Sequence, residues 1–242
     1  MAIAISEDIE KLAQDFENKT AQEVLEWALE KYPKSVALAC SFAEDVAVVD
    51  MMVKINPKAR VFCLDTGRLN QETYNLMDEV KEKYNMNIEV MFPDTKRTEE
   101  MVRQNGMNLF YKSIENRKLC CGVRKVEPLN RVLNTLDGWV TGLRRDQAAT
   151  RTKMHKIELD KDHGNILKIN PLLDWSYDDV MSYIKKNNVP YNKLHDMGYP
   201  SIGCECCTRP VKEGEDPRAG RWWWELDPMK KECGLHSGQK VQ

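Results

Sequence analysis

Val36-Ala37-Leu38-Ala39-Cys40, then Ser41-Phe42-Ala43-Glu44-Asp45, then Val46-Ala47-Val48-Val49-Asp50-Met51-Met52-Val53-Lys54-Ile55: an apolar run, a polar hinge and a second, longer apolar segment. The first run is too short for a helix and reads as a buried strand. Residues 43–55 are long enough for a helix and largely apolar. The alternation then repeats. Residues 60–64 read as a second strand. Residues 70–84 read as a helix with Thr73, Leu76, Met77, Val80 and Tyr84 on one face. Residues 88–92 form a third strand and residues 138–142 a fourth. Strands separated by helix-length segments predict right-handed βαβ units. The fold class is therefore α/β: an open, mostly parallel twisted sheet with helices on both faces.

Outward from this frame, residues 7–32 read as two helices. Ile9, Leu12, Ala13 and Phe16 recur at helical spacing, and Thr20 with Glu23 makes a capping box ahead of Val24, Leu25, Ala28 and Leu29. After Arg151 the pattern loosens. Residues 157–159 and 167–169 read as short edge strands, and Ser176 with Asp179 caps a helix containing Val180, Met181 and Ile184. Beyond Thr208 proline, glycine and charge are dense and periodicity is weak. The chain thus divides into an α/β body, residues 1–208, and a mobile tail without a core of its own, residues 209–242. Trp222-Trp223-Trp224 would dock that tail, because three exposed indoles are costly in water.

The chain has 242 residues and a formal net charge of -2. A general nucleic-acid binder would show a basic excess, so any anion site must be local. No apolar run approaches the roughly 18 residues of a membrane span. Met1 to Glu10 carries no secretory pattern, and a cytoplasmic location is expected. Eight cysteines in a reducing compartment point to metal binding or catalysis rather than disulfides.

Ligands of an open parallel sheet bind beyond the carboxyl ends of the strands. Three loops there carry suitable chemistry. Ser41 to Asp45 places a hydroxyl before a helix N-terminus, which serves either an anion or simple capping. Asp65-Thr66-Gly67-Arg68 offers a tight turn with a guanidinium beside it. Thr141-Gly142-Leu143-Arg144-Arg145-Asp146-Gln147, with Arg151 nearby, offers guanidinium forks that bind oxyanions bidentately.

Cys120-Cys121 and Cys204-Glu205-Cys206-Cys207 are soft-ligand clusters. Cys120, Cys121, Cys204 and Cys207 supply four thiolates, the number a 4Fe–4S cluster or a structural zinc requires. Adjacent ligands suit a cluster, whose irons are separated, better than one tetrahedral ion. A vicinal Cys120–Cys121 disulfide is a third reading. Cys206 could replace either late ligand, but the two-residue spacer favours Cys204 with Cys207. Cys40 and Cys63 read as buried structural thiols. Lys125 follows the first pair by one helical turn and can meet a cluster's charge or an anionic substrate. Cys233, between Lys230-Lys231 and His236, reads as a reactive thiol, since positive neighbours raise the thiolate fraction.

Together, Cys120 to Leu129, Ser201-Ile202-Gly203-Cys204 with Cys207-Thr208-Arg209-Pro210, Arg218-Ala219-Gly220-Arg221-Trp222 and Glu232-Cys233-Gly234-Leu235-His236 closely resemble the assimilatory adenylyl-sulfate reductases. This is the iron–sulfur branch of the phosphoadenylyl-sulfate/adenylyl-sulfate reductase family. Leu64 to Arg68 and Thr141 to Gln147 match as well. The resemblance implies an adenine nucleotide hydrolase-like fold, one 4Fe–4S cluster, and reduction of adenosine 5′-phosphosulfate to sulfite and AMP in sulfate assimilation and cysteine biosynthesis. It implies Cys233 as the thiolate that takes the sulfonyl group, with thioredoxin or a glutaredoxin as reductant. Lys125, Arg144, Arg145, Arg218, Arg221 and His236 would stabilise the charge. Relatives lacking the paired cysteines use the 3′-phosphorylated nucleotide, and dual specificity is an alternative. A homo-oligomer is compatible with the pattern. An ATP pyrophosphatase would want a Ser-Gly-Gly-x-Asp-Ser loop, and a non-catalytic iron–sulfur protein would leave Cys233 and the arginine loops without a role. The chain departs from the family in two places: the Ser41–Asp45 loop lacks a glycine, and Cys206 stands where proline is usual.

Overall fold

The structure, a computed structural model, describes residues 9–148 and 151–225. Six strands form one sheet in the order β3-β2-β1-β4-β6-β5. They are β1 (Val36–Ala39), β2 (Arg60–Leu64), β3 (Ile88–Met91), β4 (Gly138–Val140), β5 (Ile157–Asp160) and β6 (Ile166–Ile169). All neighbours run parallel except β5 against β6. Eight α-helices accompany them among the described residues: α1 (Ile9–Phe16), α2 (Ala21–Lys31), α3 (Val46–Ile55), α4 (Gln71–Tyr84), α5 (Thr95–Asn105), α6 (Ile114–Cys121), α7 (Glu127–Leu133) and α8 (Tyr177–Lys186).

The period-two alternation of a strand divides the core between the two faces. Val36, Leu38, Val61, Cys63 and Val140 pack with α2, α3 and α8 residues such as Leu25, Val49 and Ile184. Ala37, Phe62 and Trp139 point the other way, onto Leu129, Val132 and Leu133 of α7. Both faces are therefore covered by helices. The Thr20–Glu23 capping box forms as expected, with Glu23 N donating to Thr20 Oγ1 and Thr20 N donating to Glu23 Oε2.

Three expectations shift. The third helix begins at Val46, which leaves residues 43–45 in the loop. Residues 167–169 are not an edge: β6 lies inside the sheet between β4 and β5, with all four residues buried. Helix α6 runs on through a π-helical segment, Gly122–Val126, into α7, whose first turn holds Pro128. A π turn widens the helix by one residue and recurs at functional sites. Here it carries Lys125.

The tail's first part is packed on the body. Trp222 is buried, and Thr208 bridges Arg221 in an antiparallel pair. Trp222 and Trp224 thus share the core around the cysteines, while residues 226–242 lie outside the described set. No helix among the described residues is long and apolar enough to cross a membrane.

Candidate active site

Strand order reverses at β1, which pairs with β2 on one side and β4 on the other. The loops leaving β1 and β4 therefore part there and open a crevice. It holds a cavity of about 220 Å³ lined by Cys40, Ser41, Glu44 and Asp45 after β1, Thr66 after β2, and Thr141, Gly142 and Gln147 after β4. Phe62, Leu64, Leu69, Leu129 and Trp139 give it an apolar side. Lys125, Arg151, Arg218 and Arg221 supply cations. An apolar slot with convergent charge suits a nucleotide.

The walls of the crevice touch at Gly142. A Cβ there would lie 2.5 Å from Asp45 Cβ and 3.3 Å from Asp45 Cα. Gly142→Ala is expected to lower stability by about 1–3 kcal/mol, the usual cost of overpacking. It should also weaken AMP binding, because the β1–α3 loop must move. Urea unfolding and nucleotide titration check this, and an unchanged midpoint would refute it.

Sequence-assigned residues separate into several places. Ser41, Asp45, Thr66, Lys125, Arg151, Arg218 and Arg221 line the nucleotide-sized cavity. Asp65 does not. Its Oδ1 accepts from Gly67 N at 2.7 Å and Tyr74 Oη at 2.9 Å, closing the turn in which Gly67 has φ +68°. Burial and that carboxylate push the Tyr74 hydroxyl up to about 12. Arg68 lies over the Phe110 ring at 5.2 Å, donates to Met107 O and reaches Cys206 Sγ at 3.9 Å. It serves the cysteine cavity, not the nucleotide pocket.

Arg144 and Arg145 do not act as a paired fork. The backbone at Arg144 is extended, and successive side chains in extended backbone point to opposite sides. Arg144 is buried, bound to Glu44 at 2.8 Å and Asp146 at 3.0 Å. The Arg144 guanidinium holds the Glu44 carboxyl below the usual range against the opposing effect of burial. Arg145 turns to Glu17, Asp174 and Met154 O, away from the pocket.

The four expected thiols do come together. Cys120 and Cys121 end α6, and Cys204 and Cys207 flank a short 3-10 turn, Glu205–Cys207. All four are buried, reduced and face one cavity of about 20 Å³, shared with Arg68, Arg117, Arg124, Lys125, Arg221 and Cys206. The vicinal disulfide is not formed. Thr66 Oγ1 lies 3.2 Å from Cys204 Sγ. Among the described residues, no group of three or more His, Cys, Asp or Glu side chains is disposed to hold a metal ion. Cys206 Sγ lies 3.8 Å from Cys207 Sγ. Donation from Cys207, aided by Arg68, pushes the half-buried Cys206 thiol down to about 6, and Cys207 moves up correspondingly. Burial raises Cys120. Cys40 and Cys63 are buried thiols pushed up mainly by burial. Cys233 and His236 fall outside the described residues.

Residues 35–210 match the phosphoadenosine phosphosulfate reductase domain family. The chain belongs to this family. The adenosine 5′-phosphosulfate reductase of Burkholderia cepacia is 47% identical over 86% of this chain and 82% of its own length. That of Pseudomonas aeruginosa (strain LESB58) is 42% identical over 97% and 88%. Among solved structures, the phosphoadenylyl-sulfate reductase of Candida auris, in a phosphate complex, superposes with a TM-score of 0.72 at 30% identity. It covers 85% of this chain and 98% of that one.

Family membership accounts for the chosen loops, but several site residues carried no local signal. Glu225 is one: its carboxylate binds the buried Arg117 through Nε at 2.7 Å and Nη2 at 3.0 Å, across more than a hundred residues. Trp139 is another, because it reads as an ordinary strand residue yet walls the pocket. Ser201 and Gly203 were legible only as neighbours of Cys204. Arg221 donates to Ser201 Oγ at 3.2 Å and Ile202 O at 2.9 Å, and a Cβ on Gly203 would meet its guanidinium at 2.5 Å.

Proposed function

We propose that this chain reduces adenosine 5′-phosphosulfate to sulfite and AMP, with a dithiol protein of the thioredoxin or glutaredoxin class as reductant. One observation carries the reading beyond family membership. Lys125, Arg221 and Trp222 line both the nucleotide-sized cavity and the four-cysteine cavity. In this reading the anionic end of the nucleotide would face the end shared with the thiols, and the base the apolar side. The names of the bacterial relatives support the same substrate.

In this reading Lys125, Arg218 and Arg221 hold the phosphosulfate and take up the charge that grows on the bridging oxygen. The Cys233 thiolate attacks the sulfate sulfur. The bond from sulfur to the bridging oxygen breaks, and AMP leaves with the electron pair. Cys233 then carries a sulfonate on its sulfur. A thiolate of the reductant attacks Cys233 Sγ and expels sulfite with the pair of that S–S bond. The reductant's second thiol resolves the mixed disulfide and returns the Cys233 thiolate. Two electrons pass from the dithiol to sulfur. His236, three residues on in the sequence, would favour the thiolate as a positive neighbour.

Cys120, Cys121, Cys204 and Cys207 are proposed to hold one 4Fe–4S cluster. Supporting this, the four thiols line one cavity together with five cationic side chains. The cluster would contribute charge and rigidity beside the substrate. Protein purified without oxygen is expected to carry four irons per chain in the usual stoichiometry of this cluster. Cys204→Ser should lose both iron and visible absorbance, and a zinc-bearing, iron-free wild-type protein would overturn the assignment. For the reaction itself, adenylyl sulfate and thioredoxin should give sulfite and AMP in equal amounts. Absence of sulfite from the iron-replete protein would refute it.

A further inference from the structure

The loop between β1 and α3 was expected to serve either an anion or a simple helix cap, and the structure fills the anion's seat from within. Asp45 Oδ2 accepts from Ser41 N at 2.6 Å and Ser41 Oγ at 2.8 Å. Its Oδ1 accepts from Ala43 N at 3.0 Å and Cys40 Sγ at 3.5 Å. All four partners donate, so the carboxyl group serves as an acceptor only, the role of its ionised form, against burial and the neighbouring Glu44, which push it above the usual carboxylate range. Glu44 lines the same cavity, its Oε1 held by Arg144 Nη1 and Gln147 Nε2. Both acids are more than nine-tenths buried.

The missing glycine explains how Asp45 arrives there. Phe42 is fully buried and adopts φ +56°, a left-handed conformation that costs a residue with a Cβ about 1–2 kcal/mol. The buried Asn192 side chain holds it by donating to Phe42 O at 2.9 Å. This tight turn brings Asp45 back under Ser41. Arg144 is neutralised by Glu44 and Asp146, whereas Arg151, which donates to Gln147, and Arg218 line the cavity as cations. Lys125 and Arg221 belong to the end shared with the cysteines.

We propose that Asp45, with Glu44 beside it, is a specificity determinant that reserves the pocket for an adenylyl sulfate with free ribose hydroxyls and rejects a nucleotide phosphorylated on the ribose 3′ oxygen. This rests on the adenylyl-sulfate reading above. A ribose hydroxyl can donate to a carboxylate. A phosphate brings further negative charge, finds the loop's N–H groups taken, and meets two buried carboxylates. Acidic side chains select bare ribose over phosphorylated ribose in dinucleotide sites for the same reason.

The test compares AMP with adenosine 3′,5′-bisphosphate, titrated against the intact protein and read by quenching of the pocket tryptophans. Wild type should bind AMP at least about tenfold more tightly, the discrimination expected when a polar site is mismatched. Asp45→Asn should shrink that ratio by about tenfold, mainly through tighter bisphosphate binding. Glu44→Gln, a second variant should the first not fold, should shrink it in the same direction. Equal wild-type affinities, or a ratio unmoved in folded variants, would overturn the proposal. Turnover separates this from the functional reading. A protein that reduces both nucleotides equally refutes the acidic wall and leaves the reductase standing. A protein that discriminates AMP from the bisphosphate but releases no sulfite refutes the reductase and leaves the wall.

Discussion

Cys233→Ser is expected to abolish sulfite release, by a factor on the order of 10⁶, the scale on which removal of a nucleophile acts. Two losses combine. A serine hydroxyl is a far weaker nucleophile than a thiolate near neutral pH. A sulfate ester formed on serine would also have no S–S bond for a thiol to exchange, so the reductant could not close the cycle. The pocket's described lining comes from residues 39–222, so AMP affinity should persist. Four thiols other than Cys233 line the proposed cluster site, so the visible chromophore should persist as well. Without reductant, wild type should release one AMP per chain and keep a sulfonate on the peptide bearing Cys233, seen by mass spectrometry. The variant should do neither. A serine variant with a normal AMP burst would show that another group accepts the sulfonyl.

The sheet was legible because its central strands are short apolar runs between longer helical segments. Val36–Ala39 and Arg60–Leu64 fall where the pattern puts them. The position of β6 was not legible. A short apolar run looks the same at an edge or inside a sheet. In the fold Lys168 is buried beside Glu158 and over the Trp139 ring at 5.7 Å. Helix α6 was missed because Ile114-Glu115-Asn116-Arg117-Lys118-Leu119 has little apolar periodicity. It buries Arg117, Cys120 and Cys121, which no hydropathy pattern marks.

Chemistry was legible by residue type but not by direction. The four cysteines were found from number and spacing. Which arginines face the nucleotide was not, because one residue of offset in extended backbone reverses a side chain. Arg144 and Arg145 show this, one buried against Glu44 and the other paired outside the pocket. Asp45 shows the complementary limit. Its sequence position at a helix start suggested a loop open to anions. Only the left-handed turn at Phe42 reveals that the chain supplies its own.

Glu225→Ala is expected to destabilise the protein by about 3–5 kcal/mol, the cost of leaving one member of a buried ion pair alone. Arg117 has a side chain 0% exposed and Glu225 3%, and two parallel N–H to O bonds join them. The Arg117 guanidinium also lies 4.5 Å from the Trp222 ring centre. Removing the carboxylate strands the cation between Trp222 and the cysteine helix, where water cannot replace the lost charge. Because Arg117 lies one turn before Cys120-Cys121, the damage should reach the thiol cavity, and iron should be lost on dialysis more readily than from wild type. The pair itself need not be a net stabiliser, since matched apolar replacements can equal a buried bridge. Arg117→Met combined with Glu225→Leu should therefore recover most of the stability that Glu225→Ala loses. Urea unfolding of wild type, the single variant and the double variant measures this non-additivity. If Glu225→Ala unfolds at the wild-type midpoint, the bridge does not fasten residues 222–225 to the body. If the apolar pair restores stability, the role of Arg117 is to fasten that segment, eight positions before Cys233, and not to supply charge to the site.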